Sequence, residues 1–449
     1  MKSKMRILLP LTLIFFLPTA CRKEFNGDQY PGKEHNIPAF LTDAEVPQAW
    51  FQLAIKLVRT TPGNSGPVAS RTFGYMGLAL YESVVPGKLE YRSIQSQLNG
   101  LPALPKLPGD KIFIDAISAN AALANMVHHM FGNASAAQNV TIDSLENVFN
   151  TEFKSFLATQ GTTQAVSKDF DRSVQFGQDI SNAIYTWSTS DGGDKAYLTP
   201  FPADYIAPVG PGLWVPQPGQ HAQNPYWGNN RTFIAGDATN TQPIPPPAYS
   251  TDPSLQMFKE ESEVYNESIN QDPEHRAIAL YWAAIPPPTV SISILGSVLT
   301  DKNADLFAAA LAYCKLGIGI SDAFVSCYKT KYTYNQLRPI TYIQANFSST
   351  WTPLIPTPPF PDYTSAHSVQ TGAAARVLAD IFGDNTTFTD YSINDLGFTP
   401  RTFSKFSDYA NEVGLSRIYG GIHIRSSDFV GLDQGDKVGK YIRGLHFER

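Results

Sequence analysis

The sequence predicts an all-α protein, a helical bundle with one long, ordered loop. In several segments apolar residues recur at the three- and four-residue spacing of an amphipathic helix, whereas strand-like alternation is scarce. A composition of 43% apolar and 16% charged residues is that of a folded chain, not of a disordered one. Residues 200–247 hold eleven of the 34 prolines, which excludes helix for most of that segment. We expect this segment, with Trp214, Tyr226 and Trp227, to pack over the bundle; a linker is the alternative.

The N-terminus predicts export. Three basic residues precede an apolar run over residues 7–17 that is too short to span a bilayer, and small residues lead into Cys21. This layout of residues 1–21 resembles a bacterial lipoprotein signal, in which Cys21 is lipidated; simple secretion into the periplasm is the alternative. We interpret residues 22–44 as a polar tether and residues 45–449 as a single helical domain.

The helices follow one another along that domain and are expected to share one core. The first begins at a capping box formed by Thr42 and Glu45. The apolar stripes of the first four helices are Trp50, Leu53, Ala54, Leu57 and Val58; Phe73, Met76, Leu80, Tyr81 and Val84; Leu145, Val148, Phe149, Phe153 and Phe156; and Phe170, Val174, Ile180, Ile184 and Trp187. Further helices are predicted over about 305–328, 365–382 and 403–419.

Charge and cysteine content restrict the partners. The chain has 34 basic and 40 acidic residues and no long basic run, which excludes nucleic acid and anionic lipid surfaces as expected partners. On one helix, Cys314 and Cys327 would lie about 20 Å apart at about 1.5 Å per residue, so we expect buried free thiols. Residues 286–288, all proline, and Lys315 interrupt the two most apolar stretches after the signal. We therefore expect a soluble mature protein that contacts a membrane only through the lipid anchor.

The residues with chemical potential concentrate in three segments between residues 328 and 428. In the first, a proline-rich stretch leads into a helix whose first turn holds Ser365 and His367. Free backbone N–H groups in that turn and the Ser365 hydroxyl would form an anion site. The alternative is that Ser365, or Thr364 before it, only caps the helix and that His367 is a surface residue.

The second segment holds Arg417 and, six residues later, His423. On an ideal helix the two would point about 240° apart and could not share a face. A break at Gly420 and Gly421 would let the guanidinium and the imidazole converge. The alternative is an ordinary helix end at the glycines with Arg417 in solvent.

The third segment holds Lys331 and Arg338, which would lie about 20° apart on one helix face before Pro339 ends the segment. The alternative is an exposed charged face. Together the three segments supply three cations, a serine hydroxyl, helix N-terminal amides and two imidazoles. This set predicts a cage for a tetrahedral oxyanion such as phosphate or vanadate.

These segments resemble the signature of the vanadium-dependent haloperoxidases and their relatives, the type 2 phosphatidic acid phosphatases. That signature is K-x6-R-P, P-S-G-H and S-R-x5-H, in this order. The chain reads Lys331…Arg338-Pro339, Thr364-Ser365-Ala366-His367 and Ser416-Arg417…His423. Residues 358–367 are similar to the haloperoxidase version in particular, as are residues 71–84 and the pair Asp322-Ala323. The resemblance covers about residues 45–449.

The resemblance implies an α-helical fold and a role for each matching residue. His423 would be the ligand of vanadium, or the nucleophile of a phosphatase, and His367 would be its acid–base partner. Phe360 and Tyr328 would lie near the halide. The anion's oxygens would be held by Lys331, Arg338, Ser365, Arg417 and the N–H of Ala366. With vanadate bound, a haloperoxidase uses hydrogen peroxide to oxidise a halide to hypohalous acid, whereas a phosphatase hydrolyses a phosphate ester through a phosphohistidine.

Three positions depart from the family pattern. Ala366 replaces a glycine, so its methyl group crowds the anion or requires a negative φ, and Thr364 replaces a proline. The acid expected four residues after His423 is Ser427, which leaves Asp428 as the best candidate for a carboxylate that orients the ring. We expect a haloperoxidase. The alternatives are an exported acid phosphatase with phosphate in the site and a catalytically degenerate surface lipoprotein. The oligomeric state stays open, a dimer included.

Overall fold

The structure, a computed structural model, describes residues 43–107, 113–159, 164–270 and 272–449. The predicted signal, Cys21 and the tether up to residue 42 lie outside the described residues. All described residues belong to one compact unit.

The described ranges contain fourteen α-helices and two short strands, which confirms the predicted all-α class. The helices are α1 (Glu45–Thr60), α2 (Gly66–Val84), α3 (Asp115–Met130), α4 (Ala136–Thr159), α5 (Gln164–Ser188), α6 (Asp237–Asn240), α7 (Gln256–Asn270), α8 (Pro273–Ala283), α9 (Pro287–Asp301), α10 (Leu306–Tyr334), α11 (Pro339–Asn346), α12 (Ala366–Phe382), α13 (Phe406–Tyr419) and α14 (Arg425–Arg443). Strands β1 (Phe388–Asp390) and β2 (Arg401–Phe403) pair antiparallel, with Phe388 opposite Phe403.

Helix α1 buries the predicted apolar stripe but begins differently from the prediction. Its N-cap is Ala44, which has no side chain to cap the helix. Instead, Asp43 Oδ1 accepts a hydrogen bond from the N–H of Glu45 at 3.0 Å. Thr42, the other residue of the predicted capping box, lies outside the described residues. Glu45 is the first residue of the helix, whereas a capping box would place it third.

Helix α10 lies at the centre of the bundle and packs along α2, α12 and α14. The backbones of α2 and α10 approach so closely that a Cβ at Gly77 would collide with the carbonyl group of Tyr313. Helices α12 and α14 meet in the same way, because a Cβ at Gly435 would collide with the carbonyl oxygen of Val369. Glycine at these crossings brings together the helices that carry the three predicted segments.

By length and composition, α10 is apolar enough to cross a membrane, but 83% of its most apolar stretch is buried inside the protein. Such a helix is typical of a bundle core as well as of a membrane span. Lys315 was expected to interrupt an apolar stretch of membrane length, but α10 is still apolar enough with Lys315 in it, so that expectation is wrong. Cys314 and Cys327 both lie on α10 as buried free thiols, as predicted.

The proline-rich segment is an ordered loop, as predicted, and not a linker. Its backbone pairs with the chain beyond α10, since the N–H of Trp214 donates to Asn335 O at 2.6 Å. It also reaches the first site segment, because the N–H of Gln223 donates to Pro359 O at 2.9 Å. Trp214 and Trp227 are buried, whereas Tyr226 is 45% exposed. The loop therefore covers the end of α10 that carries the predicted site.

Candidate active site

Lys331 and Arg338 converge, although not on one helix face as predicted. Lys331 lies in the last turn of α10, which ends where Asn335 adopts a left-handed conformation with φ 46°. Arg338 is the N-cap of the next helix, and Pro339 is the first residue of that helix instead of the end of the previous one. A turn between two helices, not helical periodicity, brings the two cations together.

Both cations bind the backbone of the same proline-rich stretch. Lys331 Nζ donates to the carbonyl oxygens of Pro361 and Asp362, each at 2.8 Å. Arg338 Nε donates to Phe360 O at 2.8 Å. The ring of Phe360 lies 4.9 Å from Lys331 Nζ and 5.0 Å from the Arg338 guanidinium carbon, within cation–π range. Both cations are fully buried.

The N-terminus of α12 faces this region as predicted. Ser365 is the N-cap, and its hydroxyl accepts the N–H of Ser368 at 3.4 Å. The first helical backbone bond runs from Val369 N to Ser365 O, so the N–H groups of Ala366 and His367 precede the intrahelical ladder. Ala366 is helical and hence has a negative φ, which an alanine adopts without strain. The substitution for glycine is therefore compatible with this backbone.

Arg417 and His367 are neighbours in the site, and both lie beside the backbone of Trp282. Arg417, in the last turn of α13, donates from Nη1 to Trp282 O at 3.3 Å. Burial lowers the pKa of His367 well below its usual value, and the neighbouring Arg417 lowers it further. His367 is consequently neutral near pH 7, in the form that can accept a proton. Sequence reasoning gave no indication of the contact with Trp282, because its backbone carbonyl belongs to α8.

His423 lies in the turn between α13 and α14, as predicted. Gly420 ends α13, and Gly421 has a φ of 76°, which favours glycine. Arg338 donates from Nη1 to the Nε2 atom of His423 at 3.1 Å. Burial is the main cause that lowers the pKa of His423 well below its usual value, and Arg338 is the next.

The carboxylate beside His423 is Asp362, not Asp428 as we expected. Asp362 Oδ1 lies 2.6 Å from His423 Nδ1. The carboxylate of Asp428 instead accepts the hydroxyl of Ser368 at 3.0 Å, because the first turn of α14 directs it toward the start of α12. Sequence reasoning missed Asp362, although an acidic residue enclosed by prolines and aromatic residues was a signal that could have identified it.

Thr364, which stands where the family pattern has proline, uses its hydroxyl in a buried polar network. Its Oγ1 donates to Gln434 Oε1 at 2.6 Å. Gln434 Nε2 donates in turn to Ser326 Oγ at 2.8 Å and to Thr330 Oγ1 at 2.9 Å. The network joins α10, α14 and the loop before α12, so it fixes the relative positions of the three site segments.

Tyr328 and Phe360 form an apolar wall beside the cations. Their rings lie 5.6 Å apart, and Tyr328 is buried on α10, one turn before Lys331. The two rings therefore lie against the side of the site lined by Lys331 and Arg338.

The site combines three buried cations with two buried carboxyl groups, Asp362 and Asp428, and polar atoms of both kinds have no hydrogen-bond partner within the described ranges. Among the described residues, three buried nitrogen atoms at the site have no hydrogen-bond partner: Arg338 Nη2, Arg417 Nε and His367 Nε2. Burial lowers the pKa of Lys331 to about 7, and it lowers the pKa of Arg417 to about 10. Buried donors without acceptors are costly, so this arrangement fits a tetrahedral oxyanion, whose oxygens accept from several sides.

Comparison with known proteins agrees with this geometry. Residues 312–446 match the family described as the VCPO second helical-bundle domain, and no curated protein matches the chain. The chain is similar to the solved structure of a bacterial vanadium-dependent iodoperoxidase, with a TM-score of 0.80 at 30% identity over 93% of this chain and 99% of that one. Bacterial vanadium-dependent chloroperoxidases in holo and apo form share the fold at 14% identity. Their TM-scores are 0.67 and 0.63, over 92% and 85% of this chain and 98% and 94% of theirs. The chain therefore belongs to the vanadium-dependent haloperoxidases.

Proposed function

We propose that the chain oxidises a halide with hydrogen peroxide to hypohalous acid, with vanadate held by His423 and the three buried cations. The observation that carries the proposal is a set of buried nitrogen atoms around His423 that have no hydrogen-bond partner among the described residues: the donors Arg338 Nη2 and Arg417 Nε, and His367 Nε2. Vanadate, when bound, supplies a Lewis-acidic centre that activates peroxide toward a halide.

The protein's own residues would hold the anion, exclude water and move protons. Lys331, Arg338 and Arg417 are buried and preorganised, so they stabilise negative charge without reorganisation. His367 is neutral and has a free Nε2, so it is placed to take a proton from an incoming peroxide. The rings of Tyr328 and Phe360 give this side of the site an apolar surface, and Lys331 and Arg338 lie next to it. An apolar surface beside positive charge favours a weakly hydrated anion such as a halide.

We propose iodide as the halide. The similar structure at 30% identity is that of an iodoperoxidase, whereas the chloroperoxidases share only 14% of residues with this chain. Iodide is also larger and less hydrated than bromide or chloride. It therefore loses the least hydration free energy when it enters a site walled by two aromatic rings.

The test is peroxide-dependent triiodide formation by purified protein that has been stripped of anions, before and after addition of orthovanadate. We expect activity only with vanadate, and higher activity with iodide than with bromide or chloride. His423→Ala is the matched inactive variant. Phosphate-ester hydrolysis is measured in parallel, and hydrolysis without halide oxidation would replace the proposal with the phosphatase alternative.

We also propose that the protein is exported and anchored to a membrane by a lipid on Cys21. The proposal rests on the basic, apolar and small-residue order of residues 1–21. Cells that express the full chain are fed an alkyne-labelled fatty acid, and the label is detected on the purified protein. We expect label in the wild type and none in Cys21→Ser; an unlabelled wild type would contradict the anchor.

A further inference from the structure

We propose that Asp362 positions the ring of His423 and fixes its tautomer, in place of the acid expected four residues after that histidine. The inference deepens the proposed function and rests on it, because His423 is the residue that would bind vanadium there. The expected acid is Ser427 in this chain, whose hydroxyl cannot supply a negative charge.

The tautomer follows from the partner on the other side of the ring. A guanidinium group only donates hydrogen bonds, and Arg338 Nη1 lies 3.1 Å from His423 Nε2. Nε2 must therefore carry the lone pair. An imidazole ring whose Nε2 is unprotonated carries its one proton on Nδ1.

Two oxygens lie close to Nδ1, and they contact it in different ways. Ser427 Oγ, at 3.2 Å, is within hydrogen-bond geometry of His423 Nδ1. Asp362 Oδ1 lies nearer, at 2.6 Å, in a charge contact that is not aligned as a hydrogen bond. The hydroxyl of Ser427 donates to the backbone oxygen of Asp362 at 3.0 Å, so its oxygen, not its hydrogen, is turned to the ring. Asp362 and His423 are at most 2% exposed. A buried carboxylate is the stronger acceptor, and such partners raise the basicity of a metal-binding imidazole.

Asp362 is held in place by the site itself. Its N–H donates to Gln336 O at 3.0 Å, and its carbonyl accepts Lys331 Nζ at 2.8 Å. Its carboxylate lies 3.6 Å from Arg338 Nη1. The acid is therefore supplied by the loop before α12 and not by the first turn of α14, the position that sequence comparison predicts.

The experiment compares Asp362→Asn with Asp428→Asn, which removes an equally buried carboxyl group that bonds Ser368 instead of the ring. In vanadate-free protein labelled with nitrogen-15 histidine, NMR reports the tautomer of His423, and the signal is assigned by its loss in His423→Ala. Calorimetry then gives the affinity for orthovanadate. The tautomer is measured without vanadate and without turnover. The test of Asp362 therefore remains valid even if the protein oxidises no halide.

We expect the wild type and Asp428→Asn to carry the proton on Nδ1. In Asp362→Asn we expect a second tautomer to appear and the orthovanadate affinity to fall about 10- to 100-fold. Ser427→Asp in the Asp362→Asn background restores a carboxylate near Nδ1 and should recover most of that affinity. Asp428 also interacts with Ser365 of the anion site, so the tautomer and not the affinity is compared between the two variants. An unchanged tautomer in Asp362→Asn, or the same second tautomer in Asp428→Asn, would overturn the proposal.

Discussion

Replacing Arg417 with methionine should stabilise the anion-free protein and weaken anion binding at the same time. Arg417 is fully buried, its Nε has no partner among the described residues, and its one direct bond is a 3.3 Å contact with Trp282 O. The side chain is therefore poorly compensated by the protein. A cation in this situation serves a ligand more than it serves the fold.

The magnitude follows from the electrostatics of the site. Burial lowers the pKa of Arg417 to about 10, which corresponds to a cost of about 3 kcal/mol for keeping the charge in the folded protein. Methionine removes this cost, but the variant also loses the hydrogen bond to Trp282, which reduces the gain in stability by about 1 kcal/mol. The net gain of about 2 kcal/mol raises the melting temperature by about 2 °C in a chain of this size. Loss of two charged hydrogen bonds to an oxyanion should lower affinity at least about a hundredfold.

Differential scanning calorimetry in an anion-free, non-coordinating buffer measures the first effect, and titration with orthovanadate measures the second. Arg417→Lys is the control, because it keeps the charge but not the two-pronged geometry of the guanidinium; it should lose affinity without a gain in stability. A methionine variant that melts at a lower temperature and binds orthovanadate as the wild type does would refute the reasoning.

Three further predictions concern single positions. His423→Ala should abolish orthovanadate binding by calorimetry and leave the far-ultraviolet circular dichroism unchanged; retained binding would remove His423 from the site. Ala366→Gly should change that affinity by less than about threefold and lower stability by about 0.5–1 kcal/mol, since the alanine is already helical; a tenfold tighter complex would mean that the methyl group crowds the anion. Burial raises the pKa of Asp237 to about 9 and that of its neighbour Asp322 to about 7. The folded protein thus binds these protons more tightly than the unfolded chain, and its stability should fall as pH rises from about 4 to about 9. In Asp237→Asn, urea unfolding at pH 6 and pH 9 should show a smaller fall, and an equal fall would contradict the assignment.

The periodicity of the sequence was sufficient to predict the helices. It did not predict how the ends of the helices bring the site residues together. The stripe that begins at Trp50 and the helix that begins after Ser365 follow from local spacing alone, and both are present. The break at Gly420 and Gly421 was predictable because glycine tolerates the conformation that the turn requires. The turn at Asn335 was missed, since helical spacing fits Lys331 and Arg338 equally well. The local signal for it was Asn335 itself, because asparagine tolerates the left-handed conformation that ends α10.

The role of Asp362 shows a different limit. Local spacing from His423 pointed to the next acid along the chain, Asp428, and this was wrong. A side chain in the first turn of α14 is directed by the helix, and that direction leads to Ser368. The acid that does reach the ring comes from a loop distant in sequence, so no pattern around His423 contains it.

The proline-rich loop before α12 explains how the site keeps its positive charge available. Proline carries a carbonyl group but no N–H, so residues 358–362 offer more acceptors than donors. The carbonyl oxygens of Phe360, Pro361 and Asp362 accept from Arg338 and Lys331, and that of Pro359 accepts from the covering loop. Carbonyl dipoles compensate the burial of the two cations without cancelling their charge. A full set of carboxylates would cancel it. The cations stay fixed in position and still carry the charge that an oxyanion needs, because the stretch contains a single acid, Asp362, whose carboxyl group lies 3.6 Å from Arg338 Nη1.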